Sequence, residues 1–112
     1  MTSDERQFLH TAAWMFIRHG RRDRAIGVCE ALCEDDSRDG AAAAALAELL
    51  LDSGDTARAL ELLRSSEFPP ALDHAQAVLE TRALRMSGRA AESAARWKRY
   101  LESRKGAERK WT

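Results

Sequence analysis

The sequence predicts an all-α fold in which three helix-turn-helix repeats stack as a short right-handed solenoid. Three observations lead there. Gly20, Gly54 and Gly88 recur at intervals of 34 residues, each where one helical run stops and another begins. Their flanks recur with them: small residues seven before (Ala13, Ala47, Thr81) and five after (Ala25, Ala59, Ser93), and a large apolar residue four before (Phe16, Leu50, Leu84). Glycine tolerates the left-handed dihedrals of a tight turn, and small residues on both helices let the backbones approach closely. Finally, apolar residues make up 45% of the 112 but aromatics only 6%, with alanine abundant and β-branched residues scarce, which suits closely packed helices rather than strands. The units run over 6–39, 40–73 and 74–106, the last one residue short if Gly106 ends its helix.

Each helix has its own local reasons. Thr2 with Glu5 three residues on forms a capping box, and the first helix is expected over residues 4–19. Phe8, Leu9, Ala12, Ala13, Phe16 and Ile17 follow the spacing of one apolar face, with Trp14 off it. After the charged turn 21–24, Ala25, Ile26, Val28, Cys29, Leu32 and Cys33 mark a second helix ending near Glu34. The acidic stretch that follows reads as a loop, with Asp39 as N-cap of a third helix over 40–52, which contains five consecutive alanines. Asp55 caps a fourth helix to about Ser65, its core face made by Ala59, Leu60, Leu62 and Leu63. Pro69 and Pro70 stop any continuation, so 65–72 is a connector. Asp73 with Gln76 reads as a capping box for the fifth helix. The sixth, from Ala90 to about Lys105, is expected to turn Trp97, Tyr100 and Leu101 inward.

The length allows one domain, 1–112, with a real core. Formal net charge is zero, from 18 basic and 18 acidic residues, so no overall field draws the chain to nucleic acid or to a membrane. No stretch is apolar enough to span a bilayer and no secretory leader is visible, which reads as cytoplasmic.

The candidates for chemistry are weak. Cys29 and Cys33 are one helical turn apart, but no second pair or suitably spaced histidine completes a metal site, so they read as structural thiols. His10, His19 and His74 have no Ser or Cys partner at a telling spacing. Glu48 and Asp52 could bind a cation or act as an acid/base pair, but equivalent positions of stacked repeats become neighbours, which favours ion pairing with Arg82 and Arg85. No catalytic residue, metal or cofactor is expected.

Surface shape remains. The first helix of each unit should line the concave side. The residues expected to point into that groove are Gln7, His10, Trp14, Ile17 and Arg18, then Ala41, Ala44, Glu48, Leu51 and Asp52, then Ala75, Val78, Arg82, Arg85 and Met86. Trp14, Ile17, Leu51, Val78 and Met86 would make an apolar floor and the charges a rim, as a groove for a helix or extended peptide requires. The alternative is that Trp14 and Ile17 seal the groove's end against the chain's own tail. No room is left for an extra capping helix after the third unit; either the polar outer side of the last helix (Glu92, Arg96, Lys98, Arg99, Glu102) suffices, or a second protein covers it together with Trp111.

The 34-residue period resembles the tetratricopeptide signature. The stretches FLHTAAWMFIRHGRRDRAIGVCEAL, LAELLLDSGDTARALELL and LRMSGRAAESAARWKRYLESRK, and within them Phe8, Leu9 and Trp14 before Gly20, Arg24 with Ala25, and the closing Tyr100 and Leu101, further resemble the small tetratricopeptide chaperones of bacterial type III secretion, most of all the YscY/PscY family. That resemblance implies a non-catalytic export chaperone in the bacterial cytoplasm. Its partner would be a small secreted protein of the YscX/PscX type, held by its helical C-terminal part, and the pair would engage the cytoplasmic domain of the export-gate protein. Ser93 in place of alanine and the Pro69-Pro70 connector depart from the commoner repeat pattern. Three other readings stay open: a needle-subunit chaperone of the YscG/PscG type, a generic interaction module, and a metal hydrolase using Glu48, Asp52 and a histidine.

Overall fold

A computed structural model describes residues 1–109, and these contain helices and no strand. The helices are α1 (Ser3–Arg18), α2 (Arg22–Asp35), α3 (Gly40–Asp52), α4 (Thr56–Ser65), α5 (Asp73–Met86) and α6 (Ala90–Arg109), with a single 3-10 turn at Pro70–Leu72. Each pairs with its chain neighbour, and α3 also packs on α5, so the first helices of the second and third units lie side by side. This is the helical-repeat architecture expected of tetratricopeptide-like units.

The period is visible in the backbone. Gly20, Gly54 and Gly88 have φ of 70°, 84° and 77°, the three positive values among the described residues. Each turn closes with the same two bonds. The glycine N–H donates to the carbonyl three residues back (Ile17, Leu51, Arg85), at 3.0–3.2 Å, and the next N–H donates to the carbonyl of Phe16, Leu50 or Leu84 at 2.8–2.9 Å. That pair of bonds satisfies the carbonyls a helix end leaves orphaned, and the left-handed residue it needs is a glycine each time. The small residues then do their part: Ala25, Ala47 and Ala59 are completely buried and Ala13 nearly so.

In the third unit both small positions carry hydroxyls. Ser93 Oγ donates to the Thr81 carbonyl at 2.8 Å, whereas the buried Thr81 Oγ1 has no partner among the described residues. The core runs through the middle unit, with Leu46, Leu49, Leu50, Leu51, Leu60 and Leu63 buried together with Leu79 and Leu84.

Caps form as expected at Thr2, where side chain and Glu5 bond reciprocally, at Asp39, which accepts from Ala42 N–H at 3.0 Å, and at Asp55, which accepts from Arg58 N–H at 3.4 Å. Four expectations need correction. Asp73 caps nothing: the 3-10 turn runs straight into α5, leaving Asp73 as its first residue, and Gln76 instead donates to the Leu63 carbonyl and to Glu80. Gly106 does not end the last helix, which continues to Arg109, because a lone glycine costs only about 1 kcal/mol in a helix and nothing else stops it. Phe8 is 71% exposed rather than part of the core face, and Leu101 lies out in solvent while Tyr100 is buried. Both belong to helices with a neighbour on one side only.

Gly40 was not singled out by the repeat, yet it is buried where the connector crosses the start of α3. A Cβ there would sit 2.8 Å from Pro69 Cδ, 3.2 Å from Leu72 Cδ1 and 3.4 Å from the Glu67 carbonyl oxygen.

Candidate functional site: a face built by the first helices

The candidate residues sit on α1, α3 and α5, and packing sorts them into three groups. Trp14, Ile17, Val78 and Met86 are apolar and 40–54% exposed. Gln7, Arg18, Glu48 and Arg85, with Ala41, are exposed on the same three helices, and Ala44 and Ala75 are half-buried. The third group is spoken for by the fold. Leu51 is only 1% exposed and belongs to the core, which corrects its place on the apolar floor. It shares the register of Ile17, but α3 has neighbours on both sides where α1 has one.

His10 and Asp52 act as ties between units. Asp39 caps α3 and also meets His10 Nε2 at 2.8 Å and the Arg6 guanidinium, so one carboxylate joins α1 to the start of α3. Burial alone would raise the Asp39 pKa, but the Ala42 N–H, His10 and Arg6 outweigh it and hold the carboxyl below its ordinary value. The second tie is Arg82 to Asp52 at 2.8 Å, joining α5 to α3 as the spacing suggested. Glu48 and Arg85 have no ion-pair partner among the described residues.

Arg18 lies over the Trp14 ring, 4.9 Å from its centroid. The stacking keeps one face of the indole covered while leaving the side chain half exposed. On α6, Arg96, expected on the polar outer side, does not stay there. Arg96 turns inward and donates from Nε to Glu80 at 2.8 Å, the two side chains being 13% and 7% exposed. The signal was available, since Glu80 occupies the register of Leu46 and a carboxylate in a core position demands a partner.

The chemistry candidates find no constellation. Cys29 is buried, and burial first, then Cys33 and Asp39, push its thiol up to about 11, so it is protonated at neutral pH. Half-buried Cys33 is shifted upward as well, again mainly by burial. His10 is bonded to Asp39, His74 Nδ1 to the Tyr100 hydroxyl at 3.2 Å, and His19 stands at the end of α1. Among the described residues no three His, Cys, Asp or Glu side chains gather closely enough to hold a metal ion, so the hydrolase arrangement of Glu48, Asp52 and a histidine is not assembled. No described helix is long and apolar enough to cross a membrane. Trp111 lies outside the described residues.

Residues 16–68 match the tetratricopeptide repeat family, from the end of α1 to the connector after α4. No curated protein and no solved structure matches the chain. The third turn, beyond the match, repeats the bonds and the glycine conformation of the first two. Tetratricopeptide units are protein–protein interaction modules, and the partner they imply is a protein.

Proposed function

We propose that the chain is an export chaperone of the type III secretion kind, holding an apolar helical or extended segment of a small secreted protein against α1, α3 and α5. The observation that carries the reading is the exposure of Trp14, Ile17, Val78 and Met86 on the first helices, with Arg18 stacked on Trp14 and Glu48 and Arg85 exposed on the same set of helices. A partner's apolar side chains can bury against exposed aromatic and aliphatic anchors, while charges on the same helices set its register. The choice of partner rests on the resemblance to YscY/PscY chaperones: a YscX/PscX-like protein, with the export-gate domain as the site of delivery.

The mechanism is binding alone. A segment that would otherwise expose apolar side chains orders on the chaperone and disorders again when export machinery withdraws it; the ordering cost keeps a large contact reversible. Co-expression with the products of neighbouring genes, followed by pull-down and mass spectrometry, should recover a small secreted protein in stoichiometric amount. A needle subunit recovered instead would select the other chaperone type, and recovery of neither would refute the secretion reading. In a titration with the recovered partner, Trp14→Ala should weaken binding by more than about 1 kcal/mol; unchanged affinity removes Trp14 from the interface.

A further inference from the structure

Positions 34 residues apart occupy the same place in successive units, so one side of α1 can be compared with its counterparts. α3 packs on α2 and α5 packs on α4. At the positions facing that way, Ala42, Leu46 and Leu49 of α3 are 1–5% exposed, and Glu80 and Ala83 of α5 are 0–5%. Their equivalents in α1 are Phe8, Ala12 and Met15, and there Phe8 is 71% and Met15 44% exposed. Among the described residues no helix covers that side of α1.

The uncovered side has an order of its own. Glu5, Phe8, Ala12, Met15 and His19 follow each other at alternating steps of three and four, a straight seam down the helix. The seam is nearly palindromic about Ala12: an apolar residue stands on either side of it, then an acid at one end and a base at the other. When a second α1 lies antiparallel with the two Ala12 residues facing, each Phe8 meets the other chain's Met15 and each Glu5 meets the other chain's His19. Alanine at the crossing allows close approach of the helices.

We infer that this side of α1 is a two-fold docking surface for a second copy of the chain. A head-to-tail stack fits less well, because exposed Lys98 and Lys105 flank Leu101, the one large apolar side chain exposed on α6, and would be set against Phe8 and Met15. One helix pair buries less than the roughly 800 Å² per partner of a standard interface, so the dimer forms and dissociates with concentration. Trp14 and Ile17 point away from the seam, and partner binding and dimerisation do not compete.

Sedimentation velocity over a concentration series should show the average mass rising toward that of a dimer and no further. Phe8→Asp and Met15→Lys should each abolish the rise, and Phe8→Asp should leave the helical spectrum and the monomer's melting curve unchanged, since Phe8 is largely solvent-exposed in the monomer. In a Cys33→Ser background, mixing Glu5→Cys with His19→Cys chains under oxidised glutathione should give a mixed disulfide dimer that neither chain forms alone. A mass that stays monomeric at every concentration overturns the inference. So does growth past the dimer, a Phe8→Asp chain that still dimerises, or a mixture that forms no mixed dimer.

Discussion

Two alanine substitutions that are chemically identical should move stability in opposite directions. Gly27 is exposed in the middle of α2, and a Cβ there meets nothing within 4 Å. Gly27→Ala therefore gains helix propensity and reduces unfolded-state entropy without a steric cost, about 0.5–1 kcal/mol of added stability. Gly40 is the first residue of α3, where propensity counts least, and a Cβ would lie 2.8 Å from Pro69 Cδ, closer than real Cβ contacts come. The proline ring is anchored to the main chain and the Glu67 carbonyl is main chain itself, so of the three neighbours only Leu72 can give way cheaply. Overpacking of this kind costs about 1–3 kcal/mol. For a domain of this size, at about 4 °C per kcal/mol, Gly27→Ala should raise the melting temperature by about 2–4 °C and Gly40→Ala should lower it by about 4–12 °C. Thermal unfolding by circular dichroism, with urea titrations checking that the slope is unchanged, measures both. A Gly40→Ala chain as stable as wild type would refute the crossing of the connector over α3.

Three further outcomes are expected. Gly54→Val should lower the melting temperature through the backbone alone, since a Cβ there has open space but φ is 84°; the cost is at least about 1–2 kcal/mol, and a wild-type curve would contradict the turn geometry. Thr81→Val, which keeps the shape and removes the orphaned hydroxyl, should stabilise the fold by about 1 kcal/mol in urea unfolding, and a loss of that size would mean the hydroxyl has a partner. Asp39→Asn retains a capping side chain but not the charge, so it should cost about 1–2 kcal/mol at neutral pH. Because the folded pKa of Asp39 is depressed, its contribution is present above the ordinary carboxylate value and is lost as pH falls through the folded value; the gap between wild type and Asp39→Asn should close in acid, and a gap independent of pH would remove the charge from the tie.

The two cysteines and the ion-paired carboxylates show how far a local pattern reaches. Cys29 was readable as a buried thiol from its place in an apolar stripe, and Asp52 as the partner of Arg82 from the repeat interval. Glu80 calls for a partner by its core register, but Arg96 belongs by spacing to a helix side that looks solvated, so only the packing brings the two together. Trp14, Ile17, Val78 and Met86 stay exposed on the first helices, whereas Leu51, in the same register as Ile17, is buried in the core.

What the sequence alone determined was local, though not all that is local: where the helices turn, which glycines carry positive φ, and which side chains cap at Thr2, Asp39 and Asp55, but not the start of α5, where Gln76 bonds Leu63 and Glu80 instead of closing a box with Asp73. The turns and those three caps depend on bonds spanning a few residues, so the residues concerned contain the whole cause. Only the tertiary structure decided which apolar side chains are covered, since burial depends on how many neighbours a helix has: Leu51 disappears between helices, while Phe8, on a helix flanked from one side, stays in water. The same holds for Gly40, whose missing side chain answers to a proline 29 residues further along the chain.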